Sequence, residues 1–164
     1  MGTFLVGARP GRMSRSRNLQ VKELVDIAAM NESIESHPTA KPLLHQDECF
    51  AVMGACFEVY RQLGCGFLEA VYQECLEIEF RLRGIHVERE VPIPITYKQH
   101  ILNRRYSADF ICCDVLVLEL KTVSALTGEH RAQLINYLHA ANRRVGLLVN
   151  FGHFPGLEWE RLVV

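Results

Sequence analysis

Apolar positions change period along this chain, and each change marks an element. Phe50, Met53, Phe57 and Tyr60 recur at steps of three and four, which predicts an amphipathic helix over 47–63. "LGCGF" (63–67) breaks it, with Gly64 and Gly66 suited to a helix end and a tight turn. A second helix is expected over 68–83, with Val71, Cys75, Ile78 and Leu82 on one face and Gly84 ending it. "HVEREVPIPITY" (86–97) alternates and is rich in β-branched residues, so it reads as a strand; Pro92 and Pro94 place part of it at a sheet edge. A turn at 98–100 leads to a strand over 101–111, and "VLVLELK" (115–121) forms another. A third helix spans 128–141, a buried strand spans 145–151, and 160–164 is a candidate closing edge strand. The order ααβββαβ(β) is an α/β arrangement around a mixed β-sheet flanked by helices.

The first 44 residues follow no such pattern. Residues 1–22 hold five basic residues and no acid, in a Gly-, Ser- and Arg-rich context that reads as a flexible extension. A phosphate-touching arm, a transit peptide, or an upstream extension of the reading frame before Met13 or Met30 would each have this composition. Residues 19–30 are compatible with a short amphipathic helix, and "NESIESHPTAKP" reads as a linker. The folded domain is expected over 45–164, after a basic extension and linker over 1–44.

Composition narrows the class. Apolar residues make up 49% and charged residues 23% of the 164, as in an ordinary globular chain. The net charge of -1 signals no strongly basic nucleic-acid binder. It conceals an asymmetry, because residues 23–164 hold 13 basic and 19 acidic residues. Arg104, Arg105, Lys121, Arg131, Arg143 and Arg144 are then the candidates for a local phosphate-facing surface. The apolar runs are strand-sized and far short of a membrane span. The six cysteines form no C-x-x-C pair and no zinc spacing, so they read as reduced thiols in a cytoplasmic protein. His86, His100, His139 and His153 share no metal spacing, and His130 reads as a helix cap or surface residue.

The chemistry concentrates in "ADFICCDVLVLELK". Glu119 and Lys121 are two apart on a strand, so they share a face. A three-residue loop centred on Asp114 would set Asp109 directly opposite Glu119. Like charges so placed repel, and a divalent cation between them reverses the sign. Two carboxylates with the Leu120 carbonyl make a hard oxygen site suited to Mg²⁺ or Mn²⁺. Lys121 beside it is placed to orient water or to stabilise charge on a phosphoryl oxygen. A D…E-x-K pattern alone is usually a solvated strand face. Here Glu119 interrupts an otherwise apolar strand, where an unpaired charge is costly.

"GFLEAVY", with Gly66, Glu69 and Tyr72, resembles the G-x-x-E-x-x-Y signature of the bacterial GxxExxY proteins, which are grouped with the PD-(D/E)XK nuclease superfamily. The resemblance runs over 46–164 and includes "YSADFICCDVLVLELKTV" and "HRAQLINYLHAANRRVGLLVNF". It implies a restriction-endonuclease-like core. It implies that Asp109 and Glu119 are metal-binding acids, Lys121 the lysine, and Glu69 an extra acid near the metal. Gln133 and Tyr137 match a Q-x-x-x-Y element one helical turn apart, a spacing that serves contact with substrate phosphate or a site carboxylate. Gly66 reads as a backbone requirement and Tyr72 as packing. Two positions depart from the pattern: Ala108 stands where the superfamily name implies proline, and Ser107 where the group often has arginine.

The resulting expectation is a Mg²⁺- or Mn²⁺-dependent phosphodiesterase on nucleic acid, DNA favoured over RNA, with no membrane partner. A non-catalytic nucleic-acid-binding or protein-interaction module is the alternative. A homodimer formed through apolar strands is the third.

Overall fold

A computed structural model of the chain describes residues 43–164. The basic stretch, the helix at 19–30 and the linker expected from the sequence lie outside the described residues. Eight elements follow: α1 (Gln46–Leu63), α2 (Glu69–Arg83), β1 (Val87–Tyr97), β2 (His100–Cys112), β3 (Leu116–Lys121), α3 (Gly128–Ala141), β4 (Val145–Asn150) and β5 (Glu158–Val163). The strands form a five-stranded sheet in the order β1-β2-β3-β4-β5. Only β3 and β4 run parallel, joined through α3; the other neighbours are antiparallel. The expected mixed sheet is therefore present, with 158–163 as its closing edge strand.

Every residue of β4 is buried, and in β3 only Lys121 is not fully so. Such a strand must be covered on both faces. Phe80 of α2 meets Phe110 edge-on at 5.5 Å between ring centroids. On the other face Leu134, Tyr137 and Leu138 of α3 pack with Ile93, Ala108, Val117 and Leu148. Ala108 is fully buried in that cluster, so its small side chain serves packing there. The β1 strand is at the edge, as Pro92 and Pro94 require.

Two helix faces differ from expectation. The buried residues of α2 are Tyr72, Leu76 and Phe80, whereas Ile78 and Leu82 are exposed, Leu82 by 77%. Phe50 of α1 is likewise exposed, and Met53, Phe57 and Tyr60 form the inward stripe. Apolar residues lie on two sides of α2, and only contact with the sheet selects one.

The loop between α1 and α2 is set by two residues of the G-x-x-E-x-x-Y stretch. Gly66 has φ +108°, a conformation that L side chains rarely adopt. Tyr72 is fully buried, stacks on Phe151 at 4.5 Å, donates its hydroxyl to the Gly64 carbonyl at 2.8 Å and accepts the Phe67 amide at 3.3 Å. The ring is packing, as expected, and the hydroxyl closes the loop that delivers Glu69 to the first turn of α2. All six cysteines are free thiols. Among the described residues, no helix is long and apolar enough to cross a membrane.

Candidate active site

The β2–β3 hairpin has the expected register. Cys112 pairs with Leu116, Ile111 with Val117 and Phe110 with Leu118. Cys113 and Asp114 take positive φ at the turn, and the Val115 amide closes it onto the Cys112 carbonyl at 3.1 Å. The ladder then stops one pair short of Asp109 and Glu119. Instead of a backbone partner, the Leu120 amide donates to Asp109 Oδ2 at 2.7 Å. On the other side, Arg89 pairs with Phe110 and Val91 with Ala108, while Glu90 between them has φ +52°. That conformation is uncommon for a residue with a side chain. Asp109 thus sits where the ladder is irregular toward both neighbouring strands, the kind of place where strain and function coincide.

The second oxygen of Asp109 is held from α2. Gln73 donates Nε2 to Asp109 Oδ1 at 2.6 Å. Arg89 donates to Gln73 Oε1 at 3.3 Å and to Glu77 at 3.1 Å, so the amide cannot turn over without losing both partners. Neither Gln73 nor Arg89 was singled out by the sequence. The available signal was spacing: Gln73 lies one helical turn after Glu69 and shares its face.

Glu119 is 3% exposed, the buried carboxylate expected in an apolar strand. Lys121 donates to its Oε1 at 2.7 Å. Its Oε2 is buried with no hydrogen-bond partner. Burial, then the nearby Asp109 and Glu69 charges, push the Glu119 carboxyl up to about 7 against the pull of Lys121. Burial is also the first cause raising Asp109, opposed by the Leu120 amide, Lys121 and Gln73. Glu69 is raised by burial and by Asp109, and lowered by Lys121. For Lys121 burial acts downward, but the Glu119 bond and the surrounding carboxylates outweigh it, and its value rises. Three acids and one lysine therefore share one electrostatic environment.

They do not form a closed three-carboxylate cage. Among the described residues, the His, Cys, Asp and Glu ligand atoms that lie within 4.8 Å of one another in a group of three are those of His86, Glu88 and Asp114. These are exposed at the far end of the hairpin, so His86 has neighbours that linear spacing did not reveal. The carboxylates of Glu69, Asp109 and Glu119 do not all lie that close; Lys121 holds one oxygen of Glu119, and Gln73 and the Leu120 amide hold both oxygens of Asp109. The unpartnered Glu119 Oε2 and the hard oxygen donors of all three acids suit a divalent cation.

Gln133 and Tyr137 bond to each other, Nε2 to hydroxyl at 2.7 Å. Tyr137 is buried, and the charges of Glu119, Lys121 and Asp109 all act on its hydroxyl. The Q-x-x-x-Y element thus borders the acids. His130 caps its helix, its Nδ1 accepting the Thr127 amide at 3.1 Å. Asn150, fully buried, was missed by the sequence reading. It accepts from the Val123 and Gly152 amides and donates to the Val123 carbonyl and Glu158. The loop that follows Lys121 is thereby fastened to the end of β4. Gly152 permits that approach, since a Cβ there would lie 2.5 Å from the Thr122 backbone.

A family model for the PD-(D/E)XK nuclease superfamily matches residues 46–162. The chain belongs to that superfamily. The superfamily's divalent-metal use and nucleic-acid substrates accord with an acid–acid–lysine set on two adjacent strands, and the mixed sheet flanked by helices is a restriction-endonuclease-like fold. A solved structure titled "Crystal structure of SSO0001" aligns with 87% of this chain and 77% of that one, at 17% identity and a TM-score of 0.48. No curated protein matches.

Proposed function

We infer that the protein is a divalent-metal-dependent phosphodiesterase that hydrolyses nucleic acid, DNA in preference to RNA, and that it is of the GxxExxY type within its superfamily. The observation that carries the reading is the buried Glu119 carboxylate, with one oxygen on Lys121 and the other unpartnered, beside a doubly anchored Asp109. An ion pair kept only for stability has no use for a desolvated spare oxygen. The Gly66 turn and the Tyr72 hydroxyl support the finer family assignment, since both serve to present Glu69.

Asp109 and Glu119 would hold Mg²⁺ or Mn²⁺, with the Leu120 carbonyl and Glu69 completing the oxygen set. The bound cation supplies Lewis-acid polarisation of the phosphodiester and neutralises developing charge. Lys121 serves the reacting groups: its ammonium orients the attacking water and stabilises charge on a phosphoryl oxygen. Gln73 and Leu120 keep Asp109 from rotating. Gln133 and Tyr137 offer an amide and a hydroxyl to a substrate phosphate at the border of the site.

The test is cleavage of single- and double-stranded DNA and RNA in Mg²⁺, Mn²⁺ or chelator, beside Asp109→Ala and Lys121→Ala. Metal-dependent cleavage lost in both variants is expected. Cleavage absent in every metal, or unchanged in the variants, would leave a non-catalytic binding module as the reading.

A further inference from the structure

β1 and β2 continue as a two-stranded ribbon after the rest of the sheet has ended. The β2–β3 pairs stop at Phe110–Leu118, but β1–β2 pairs run on to Tyr97–His100. Tyr97, Ile101 and Tyr106 are exposed along it. A lone two-stranded ribbon is marginal in water, and exposed large apolar groups on one mark a contact surface.

The ribbon carries charge of one sign. Residues 91–108 contain Lys98, Arg104 and Arg105 and no Asp or Glu, whereas the remainder of 43–164 has nine basic and fifteen acidic residues. Arg131, which the sequence offered as a phosphate contact, is engaged by Glu160, and Lys121 belongs to the acid site itself. Among the described residues, no ion pair involves Lys98 or Arg104. The base of the ribbon adjoins the acids: Tyr106 packs on Tyr137 at 5.2 Å between ring centroids, and Tyr137 is the residue on which Asp109, Glu119 and Lys121 act.

We propose that this ribbon is a nucleic-acid-gripping arm, whose cations take the phosphate backbone of a strand that then passes Tyr106 and Tyr137 to the Asp109–Glu119–Lys121 site. The inference rests on the nuclease reading above and adds where the substrate is held. Charge decides the occupant: a cationic arm on an otherwise acidic domain matches a polyanion and repels a second copy of itself. Pro92 and Pro94 on the outer edge of β1 remove two donors that strand addition by another protein would need. A two-stranded ribbon fits the major groove of a duplex, while exposed Tyr97 and Tyr106 suit stacking with unpaired bases.

The experiment is binding rather than cleavage. The full chain in chelator is titrated against labelled single- and double-stranded DNA and RNA over a range of salt. Lys98→Gln/Arg104→Gln is run beside it, with Arg81→Gln on α2 as a control for general charge loss. Each phosphate contact contributes about 0.9 to the log–log salt slope on duplex DNA and about 0.7 on single strands. The double variant should bind more weakly and lose roughly one to two from that slope, with Arg81→Gln unchanged. The substrate showing the larger loss identifies duplex or single strand. Lys98→Gln alone, at the exposed hairpin tip, should lose roughly one and keeps the test valid if the double variant folds poorly. Unchanged slope and affinity in the double variant, an equal loss in the Arg81 control, or a wild type that binds none of the four would each overturn the arm. Cleavage by the wild type, assayed separately with metal, tells that failure from failure of the nuclease reading.

Discussion

Gln73 Nε2 donates to Asp109 Oδ1 at 2.6 Å, across 36 residues of sequence. This bond joins α2 to the strand pair that carries the acids, and it leaves Asp109 with one orientation. Groups that orient a metal-binding carboxylate typically matter about 10–100-fold in metal affinity. Gln73→Leu should keep the fold and weaken Mn²⁺ binding within that range. Calorimetric titration of both proteins measures it, and equal affinities would remove Gln73 from the site.

Glu119 gives the site a pH dependence. Its carboxyl holds a proton up to about 7 in the folded chain, against about 4.3 for an unperturbed glutamate. Between those values the folded state binds the extra proton, so this group makes stability fall as pH rises, and the loss is complete above the folded value. A divalent cation needs the ionised form. The Mn²⁺-induced rise in melting temperature should therefore be small at pH 6 and larger at pH 8. A rise that is flat across this range would exclude Glu119 as a ligand.

The Tyr72 hydroxyl satisfies two backbone groups of the α1–α2 loop. Tyr72→Phe keeps the ring against Phe151 and orphans both. Both backbone groups are only part-buried, so water takes up part of what they lose, and a loss of about 0.5–1.5 kcal/mol, that of an ordinary hydrogen bond, is expected. Urea unfolding at constant m-value checks this. No change in midpoint would show that the loop holds without the hydroxyl.

Asn150 makes four bonds from a fully buried position. Asn150→Ala strands the Val123 and Gly152 groups and should cost about 3 kcal/mol or more. It should also loosen the loop after Lys121, visible as faster amide exchange at 122–127 than in β4. Uniform exchange through both segments would count against a local role.

Much of the fold was legible because it is written locally. The three helices and the first four strands start and end within a few residues of where periodicity, glycine and proline place them. The hairpin register followed from loop length, and it put Asp109 and Glu119 on adjacent strands. Which face of a helix turns inward was not legible. On α2, apolar residues on two sides offered two inward faces, and Phe80 against Phe110 and Tyr72 against Phe151 chose between them. The partners of the acids were not legible either: Lys121 holds Glu119 Oε1 and Gln73 holds Asp109 Oδ1.

By itself the sequence determined the order of elements, the buried position of Glu119, and the acid–acid–lysine set. Period, turn chemistry and an acid inside an apolar run act over a few residues, so they can be read along the chain. Only the tertiary structure decided what holds those groups. Gln73 and Asp109 are 36 residues apart, and Asn150 and Val123 are 27. An amide that satisfies one buried partner looks, in sequence, like any other polar residue. Its meaning comes from the group placed opposite it, and packing of α2 and β4 against the sheet places that group.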